Sequence, residues 1–193
     1  MAHPASVRWP PLRCTAGGGA LIIREAAQRD APIFERWDLD PDVIACSTDD
    51  PTAEEAFNGA EWAAEIAANS DVSCLYVATL DDRPIGGMQV IDPHREPTRY
   101  WGDVAPNLRA IDIWIGDPAD RNKGLGAAMM RLAIDRCFAD GADAIVIDPL
   151  NSNVKAHRFY QRLGFRPIGR RLFNGEDDCL VHRLERGDWE RDP

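Results

Sequence analysis

Soft metal ligands are few in this chain and none are grouped. His3, His94, His157 and His182 lie far apart, so no metal-ligand spacing exists and no metal is expected. The five cysteines, Cys14, Cys46, Cys74, Cys137 and Cys179, are odd in number and form no CxxC pair; they read as reduced thiols, which excludes a disulfide frame and a zinc site. Basic residues are also scarce. With 22 Lys plus Arg against 32 Asp plus Glu, the formal net charge is −10, which argues against nucleic-acid binding and suits a cationic partner, although acidity of this size also serves solubility alone. No apolar run approaches the ~18 residues that a membrane span needs. The N-terminus lacks the apolar core of a signal peptide, so no membrane partner and a cytoplasmic location are expected. No internal repeat or low-complexity tract interrupts the chain.

What is present suffices for one globular domain: 193 residues, 45% of them apolar. Residues 1–19 hold Pro4, Pro10, Pro11 and the run Gly17-Gly18-Gly19, with little to pack beyond Val7, Trp9 and Leu12. A flexible arm is expected there, followed by a single domain over 20–193. Residues 20–24 read as a first strand, and Asp30 as the cap of a short helix with Ile33, Phe34 and Trp37 on one side. Thr52-Ala53-Glu54-Glu55 has the form of a capping box, continued at helical spacing by Ala56, Phe57, Ala60, Ala63, Ala64 and Ala67. Residues 73–80 and 84–91 form a hairpin across Asp81-Asp82-Arg83, with Gly86 and Gly87 marking a bulge or a close backbone approach. Residues 92–107 are a long loop, of the kind that is functional or disordered.

An apolar strand resumes over 108–116, interrupted by Asp112, and a helix follows over 127–139. Ala144-Ile145-Val146-Ile147-Asp148 reads as a strand buried on both faces. Ser152 or Asn153 caps a helix that runs to Leu163 and stops at Gly164, and a terminal hairpin turns at Asn174-Gly175. The order β, α, α, β, β, β, α, β, α, β, β is α/β, with a right-handed crossover at its third α–β pair.

Between the strand and the helix lies Arg121-Asn122-Lys123-Gly124-Leu125-Gly126. Two glycines at such a junction let the backbone approach a ligand, and the first-turn amides then face it without helical partners. That is the chemistry of a phosphate cradle, and by itself equally that of an ordinary tight turn.

Two motifs in order decide between these readings. The turn matches Arg/Gln-x-x-Gly-x-Gly/Ala. Downstream, Asn153 and Ala156 with Phe159-Tyr160, Leu163, Gly164 and Phe165 match Asn-x-x-Ala…Phe-Tyr-x-x-Leu-Gly-Phe. Together they resemble the GNAT N-acetyltransferase superfamily over residues 21–184. The resemblance implies a mixed six- to seven-stranded sheet flanked by about four helices and splayed between its fourth and fifth strands. Within that superfamily the chain resembles the aminoglycoside 6′-N-acetyltransferases. Ala110-Ile111-Asp112, the glycine turn, Asp148-Pro149, the helix from Asn153 and the segment Tyr100-Trp101-Gly102-Asp103 stand in matching places.

The resemblance implies acetyl-CoA as cosubstrate. The turn from Arg121 through Asn122, Lys123, Gly124 and Leu125 to Gly126 would hold its pyrophosphate, with Arg121 as charge partner unless it is simply a solvated charge. Backbone amides around Trp114 and Ile115 would pair with the pantetheine arm. Asp112 would bind the acceptor ammonium and act as base, directly or through water; plain strand alternation is its other reading. Asp148 would bind a substrate ammonium, or serve only as a helix N-terminal acid. Tyr160 would protonate the leaving thiolate, or be a core aromatic. Asn153 would contact pantetheine, or only cap its helix. Tyr100, Trp101 and Asp103 would wall the acceptor pocket, or form a surface loop. His157, three residues before Tyr160, faces another way and reads as surface or structural, and Cys137 reads as core.

The expected activity is acetyl transfer to a small cationic amine, foremost an aminoglycoside 6′-amine, by direct attack in a ternary complex of a monomer or homodimer. A hydroxylysine-type siderophore precursor or a protein N-terminus is the alternative acceptor. A non-catalytic acyl-CoA sensor is the alternative class.

Overall fold

The computed structural model describes residues 6–173, 175 and 177–191. Eight strands form one sheet in the order β1-β2-β3-β4-β5-β6-β8-β7. They are β1 Leu12–Ala16, β2 Gly19–Glu25, β3 Ser73–Leu80, β4 Arg83–Ile91, β5 Leu108–Ile115, β6 Ala144–Ile147, β7 Arg166–Phe173 and β8 Asp177–Glu185. The helices are α1 Ala31–Asp38, α2 Pro41–Ser47, α3 Trp62–Ala67, α4 Leu125–Ala139, α5 Val154–Arg162 and α6 Arg186–Trp189. Every strand pair is antiparallel except β5 with β6, which α4 connects as a crossover.

That parallel pair positions the site. β5 and β6 pair only at Leu108↔Ala144, Arg109↔Ile145 and Ala110↔Val146. Beyond Ala110 they separate, because β6 ends at Ile147 and Pro149, which has no N–H to donate, turns the chain toward α5. The implied splay between the fourth and fifth expected strands is this opening. All four residues of β6 are buried, as its continuous apolar run anticipates. On one face of the sheet α4 buries Met129, Met130, Ala133, Ile134 and Cys137 against Ile111, Ile145 and Ile147. Phe34, Trp37, Trp62 and Ile66 pack on Leu75 and Val77 in a second cluster.

Three expectations change. Residues 6–19 are not a flexible arm: Val7 and Trp9 are buried, and Trp9 stacks on Tyr76 at 5.3 Å. β1 then pairs with β2 from Leu12↔Ile23 to Ala16↔Gly19, which makes the eighth strand. Gly17 and Gly18, at φ 59° and 82°, form the two-residue turn that such a hairpin demands. Residues 1–5 lie outside the described residues.

The capping box at 52–55 starts no α-helix; one short 3-10 turn, Ala56–Asn58, follows it. The Thr52 hydroxyl donates to Asp50 Oδ1 at 2.7 Å, Phe57 sits at φ 50°, and α3 begins only at Trp62. Packing wins over alanine spacing here, since the Phe57 ring lies 4.9 Å from Trp114 and 5.6 Å from Trp62. Asp30 precedes α1 but does not cap it by side chain; it binds Arg24 through both oxygens at 2.7 and 2.8 Å.

The other turn and hairpin expectations hold. β3 and β4 form the central hairpin, and Gly87 is a close approach: a Cβ there would come within 2.3 Å of the Trp114 ring. Asn153 caps α5 by accepting from the Ala156 N–H at 3.0 Å, and Gly164 ends the segment at φ 90°. β7 and β8 pair as the terminal hairpin; Asn174 of its expected turn lies outside the described residues.

Candidate active site

Side chains alternate along β5, so Asp112 shares a face with Ala110 and Trp114, while Ile111, Ile113 and Ile115 face α4. On β6 the same alternation puts Asp148, just past the strand, on the face of Val146, the register partner of Ala110. The two carboxylates therefore flank the splay on one side of the sheet. Burial raises the Asp112 carboxyl to about 7, with the Asp148 charge adding to it. Burial raises Asp148 too, and the hydroxyl of Tyr100, donating to its Oδ2 at 2.7 Å, opposes that rise. Both carboxyls are thus raised by desolvation, the first further by the charge of the second, and Tyr100 hydrogen-bonds the second of them.

Tyr160 of α5 is 8% exposed and lines the same opening. Burial and the nearby Asp112 and Asp148 charges push its phenol above the ordinary tyrosine value, so it stays a proton donor throughout the neutral range. These groups meet in a cavity of about 1100 Å³. Tyr100 and Trp101 contribute to its wall. The Tyr100 ring stacks on Phe173 at 4.4 Å and 10°, and Trp101, 4% exposed, gives its carbonyl to Arg171 at 2.6 Å. Asp103 is not brought there: its side chain is 95% exposed and pairs with Arg99.

Backbone direction corrects one donor assignment. The Gly116 N–H donates to Ile85 O at 3.0 Å, so Gly116 and, two residues back, Trp114 turn their amides to β4. Ile113 and Ile115 turn theirs to the splay. Ile115 stays a candidate for an amide-bearing arm, whereas Trp114 contributes a side chain, lining the cavity with Phe57 and Trp62.

In the turn, Gly124 caps α4 at φ 77° with nothing within 4 Å of where a Cβ would stand. Helical bonding begins with the Ala128 N–H to Gly124 O at 3.0 Å, so the Leu125, Gly126 and Ala127 amides precede it without helical partners. Asn122, at φ 60°, and Arg121 reach the cavity. The Leu125 side chain is core at 1% exposure, and Lys123 stands 4.0 Å from Asp120, more than half exposed. Arg121 is engaged with the protein itself, to Asp40 at 2.7 Å and Asp42 at 2.6 Å.

The sequence model of the acetyltransferase (GNAT) domain matches residues 26–173. The chain belongs to the GNAT acetyltransferase family. It is 31% identical over 96 residues to aminoglycoside N(6′)-acetyltransferase type 1 of Klebsiella pneumoniae, 49% of this chain and 48% of that protein. It is 33% identical over 76 residues to a kanamycin resistance protein of Rhizobium radiobacter, 38% of this chain and 70% of that one. The matched segment spans about half the length of the Klebsiella relative.

Among solved structures, an uncharacterised protein from Bacillus halodurans superimposes with a TM-score of 0.80 at 15% identity, covering 95% of this chain and 94% of that one. Aminoglycoside acetyltransferase AAC(6′)-Ib, solved with coenzyme A and kanamycin, gives 0.75 at 22% identity, over 89% and 98%. These likenesses show a shared GNAT fold.

Several cavity residues of this GNAT domain escaped the sequence reading. Gln89 is the register partner of Asp112 on β4, lines the cavity and donates to Ser73 Oγ at 3.0 Å. A glutamine inside an apolar strand is the same signal that drew attention to Asp112. Asp177, at the start of β8, also lines the cavity. So does α2, through Asp42 and Cys46. Its signature, Asp40 as cap followed by Pro41 at the first helical position, is plain in hindsight, and Asp40 Oδ1 does accept from Asp42 and Val43. His157, expected at the surface or in a structural place facing away from Tyr160, instead shares the buried side of α5 with it and stacks on His182 at 5.2 Å.

Proposed function

We propose that this GNAT domain transfers acetyl from acetyl-CoA to a primary amine of a cationic acceptor, foremost an aminoglycoside 6′-amine. The observation that carries the reading is the meeting of two half-buried carboxylates and a buried phenol at an open sheet splay. The chain fits the cosubstrate on its own geometry. Three first-turn amides precede the α4 bonding pattern, Gly124 leaves open space, and β5 has a free edge beyond Ala110. Acetyl-CoA would supply the activated acetyl thioester.

The α4 amides of Leu125 to Ala127, with the positive end of the helix dipole, would hold the pyrophosphate. The Ile113 and Ile115 backbone would pair with the amide-bearing arm. Asp148, steadied by Tyr100, would bind acceptor ammonium. Asp112 would take a proton from the reacting ammonium, directly or through water. An ammonium sheds two protons in becoming an amide. One leaves through Asp112, and the other balances the proton that Tyr160 gives to the departing sulfur.

The support from known proteins is that relatives are named aminoglycoside N(6′)-acetyltransferase and kanamycin resistance protein. The test is thiol release from acetyl-CoA by the purified protein with kanamycin or ribostamycin, and product mass to show one added acetyl. Turnover with a hydroxylysine-type amine or a peptide N-terminus, and none with aminoglycosides, would keep the chemistry and replace the acceptor. Tight CoA binding with no transfer to any amine would replace the reading by a sensor.

A further inference from the structure

Arg121 opens the glycine turn, yet its guanidinium is spent on the protein. Nη1 donates to Asp42 Oδ2 at 2.6 Å, Nη2 to Asp40 Oδ1 at 2.7 Å and to Gly116 O at 2.8 Å, and Nε to Ile115 O at 3.2 Å. Four contacts draw on all three nitrogens of a group that has five N–H donors. The side chain is 18% exposed and Asp40 17%, so that pair is half-sheltered, whereas Asp42, 73% exposed, makes the surface arm of the network. Asp40 is also the cap of α2: the oxygen that binds Arg121 accepts the Asp42 and Val43 amides at 3.0 and 3.2 Å. One side chain therefore joins the end of β5 to the first turn of α2.

α2 is not remote from the chemistry. Asp42, Val43, Ala45, Cys46 and Ser47 line the cavity that holds Asp112, Asp148 and Tyr160. At seven residues, α2 is too short to hold its place by its own bonding, and Val43 is the one of its residues that is buried. Its last residue is tied by the Phe57 N–H to Ser47 Oγ at 3.3 Å, and its N-terminus is tied by Arg121. Recruiting Arg121 to a pyrophosphate would break two ion pairs and two carbonyl bonds, while the α4 amides serve a phosphate without that loss.

We propose that Arg121 is a positioning residue, which clamps α2 to the end of β5 and thereby sets the acceptor side of the cavity from within the cofactor turn. The clamp itself stands on geometry; its consequence for acceptor affinity rests on the acetyltransferase reading above. Arg121 then governs recognition of the amine and leaves the hold on the nucleotide to the backbone.

The test uses the full chain and three variants, Arg121→Gln, Arg121→Lys and the double change Asp40→Asn with Asp42→Asn, which leaves a capping side-chain oxygen at position 40. Amide exchange is followed at 43–47, coenzyme A affinity by calorimetry, and KM and kcat with kanamycin. For Arg121→Gln we expect exchange at 43–47 and the acceptor KM each to rise about tenfold, with the coenzyme A Kd within about twofold of the parent and kcat little changed. The double variant reproduces this, and adding Arg121→Gln to it changes little further, as expected of partners in one interaction. Arg121→Lys, which keeps the charge and loses the fork, does not restore protection at 43–47.

A tenfold or larger loss of coenzyme A affinity in Arg121→Gln, relieved by Arg121→Lys, would make Arg121 a phosphate partner and overturn the proposal. Unchanged exchange at 43–47 in both Arg121→Gln and the double variant would overturn it as well. If the parent acetylates no amine, the exchange and calorimetry arms still decide the clamp, so the two readings fail separately.

Discussion

At the scale of single residues, Asp112 is where chemistry and stability pull apart. Its carboxyl lies near 7 in the folded chain against an ordinary value of 3.8, so between those values the folded state binds more protons than the unfolded one. Stability from this group therefore falls as pH rises through that window, and the ionised form is the strained one. Activity runs the other way, because the base must be ionised. We expect kcat/KM to drop as pH falls below about 7, tenfold per unit at the acid limb, while thermal stability improves over the same fall. Asp112→Asn should lower kcat by about 10²–10⁴-fold, the usual worth of a positioned base, with coenzyme A affinity unchanged. The same variant should raise Tm at pH 8 by roughly 2–4 °C, the shift that ~1 kcal/mol produces in a chain of this length. A lowered Tm together with lost coenzyme A binding would make Asp112 a structural residue.

Polar residues in apolar strands are the most legible feature of the site, and Asp112 stands out that way. Gln89, one strand over, carries the same signal less visibly, because a hairpin reading of 84–91 gives no reason to ask which face its glutamine occupies. Asp103 shows the converse. It stands next to aromatics that do reach the cavity, but sequence proximity does not set side-chain direction in a loop, and it points to solvent with Arg99.

At the scale of elements, the strand-turn-helix unit from β5 to α4 is legible because its parts each need special residues: glycine where φ is positive, apolar positions on one helical face, a short buried strand afterwards. Gly124→Val tests it. At φ 77° a β-branched side chain is strained and would stand in the open space beside the α4 amides. Coenzyme A affinity should fall at least tenfold, with kcat at saturating acetyl-CoA far less affected. Unchanged affinity, read by calorimetry, would move the pyrophosphate away from this turn.

Gly87 tests the opposite sheet face, where the Trp114 ring covers the backbone. Gly87→Ala should destabilise by about 1–3 kcal/mol, seen as a lower midpoint in urea. An unchanged midpoint would mean the aromatic cluster yields freely. The first hairpin is hidden in the sequence for a reason that generalises. Gly17-Gly18-Gly19 resembles a linker by composition, yet two glycines at positive φ between strands are also the tightest hairpin turn, and only the pairing of Leu12 with Ile23 decides. Likewise the alanines of 56–67 have helical spacing, and the aromatic contacts of Phe57 override it.

At the scale of the whole molecule, the sheet opens between β5 and β6 beyond Ala110, and the cavity there brings together Asp112, Asp148 and Tyr160. The walls of the splay half-bury Asp112 and Asp148, and desolvation raises both carboxyls; the net charge of −10 makes the surroundings hospitable to a cation. Among the described residues, no helix is long and apolar enough to cross a membrane. Coenzyme A at a hundred times its Kd should stabilise the fold by about 2.7 kcal/mol, visible as a rise in Tm, if the splay is its binding site.

Acetyl transfer by the parent chain beside Asp112→Asn at equal coenzyme A occupancy tests the central claim most directly. The expected result is thiol release with kanamycin or another polycationic amine in the parent, a product heavier by one acetyl, and loss of about 10²-fold or more in the variant. Equal rates in the two proteins, or no release with any amine despite bound coenzyme A, would contradict the reading of the two carboxylates as the acceptor site.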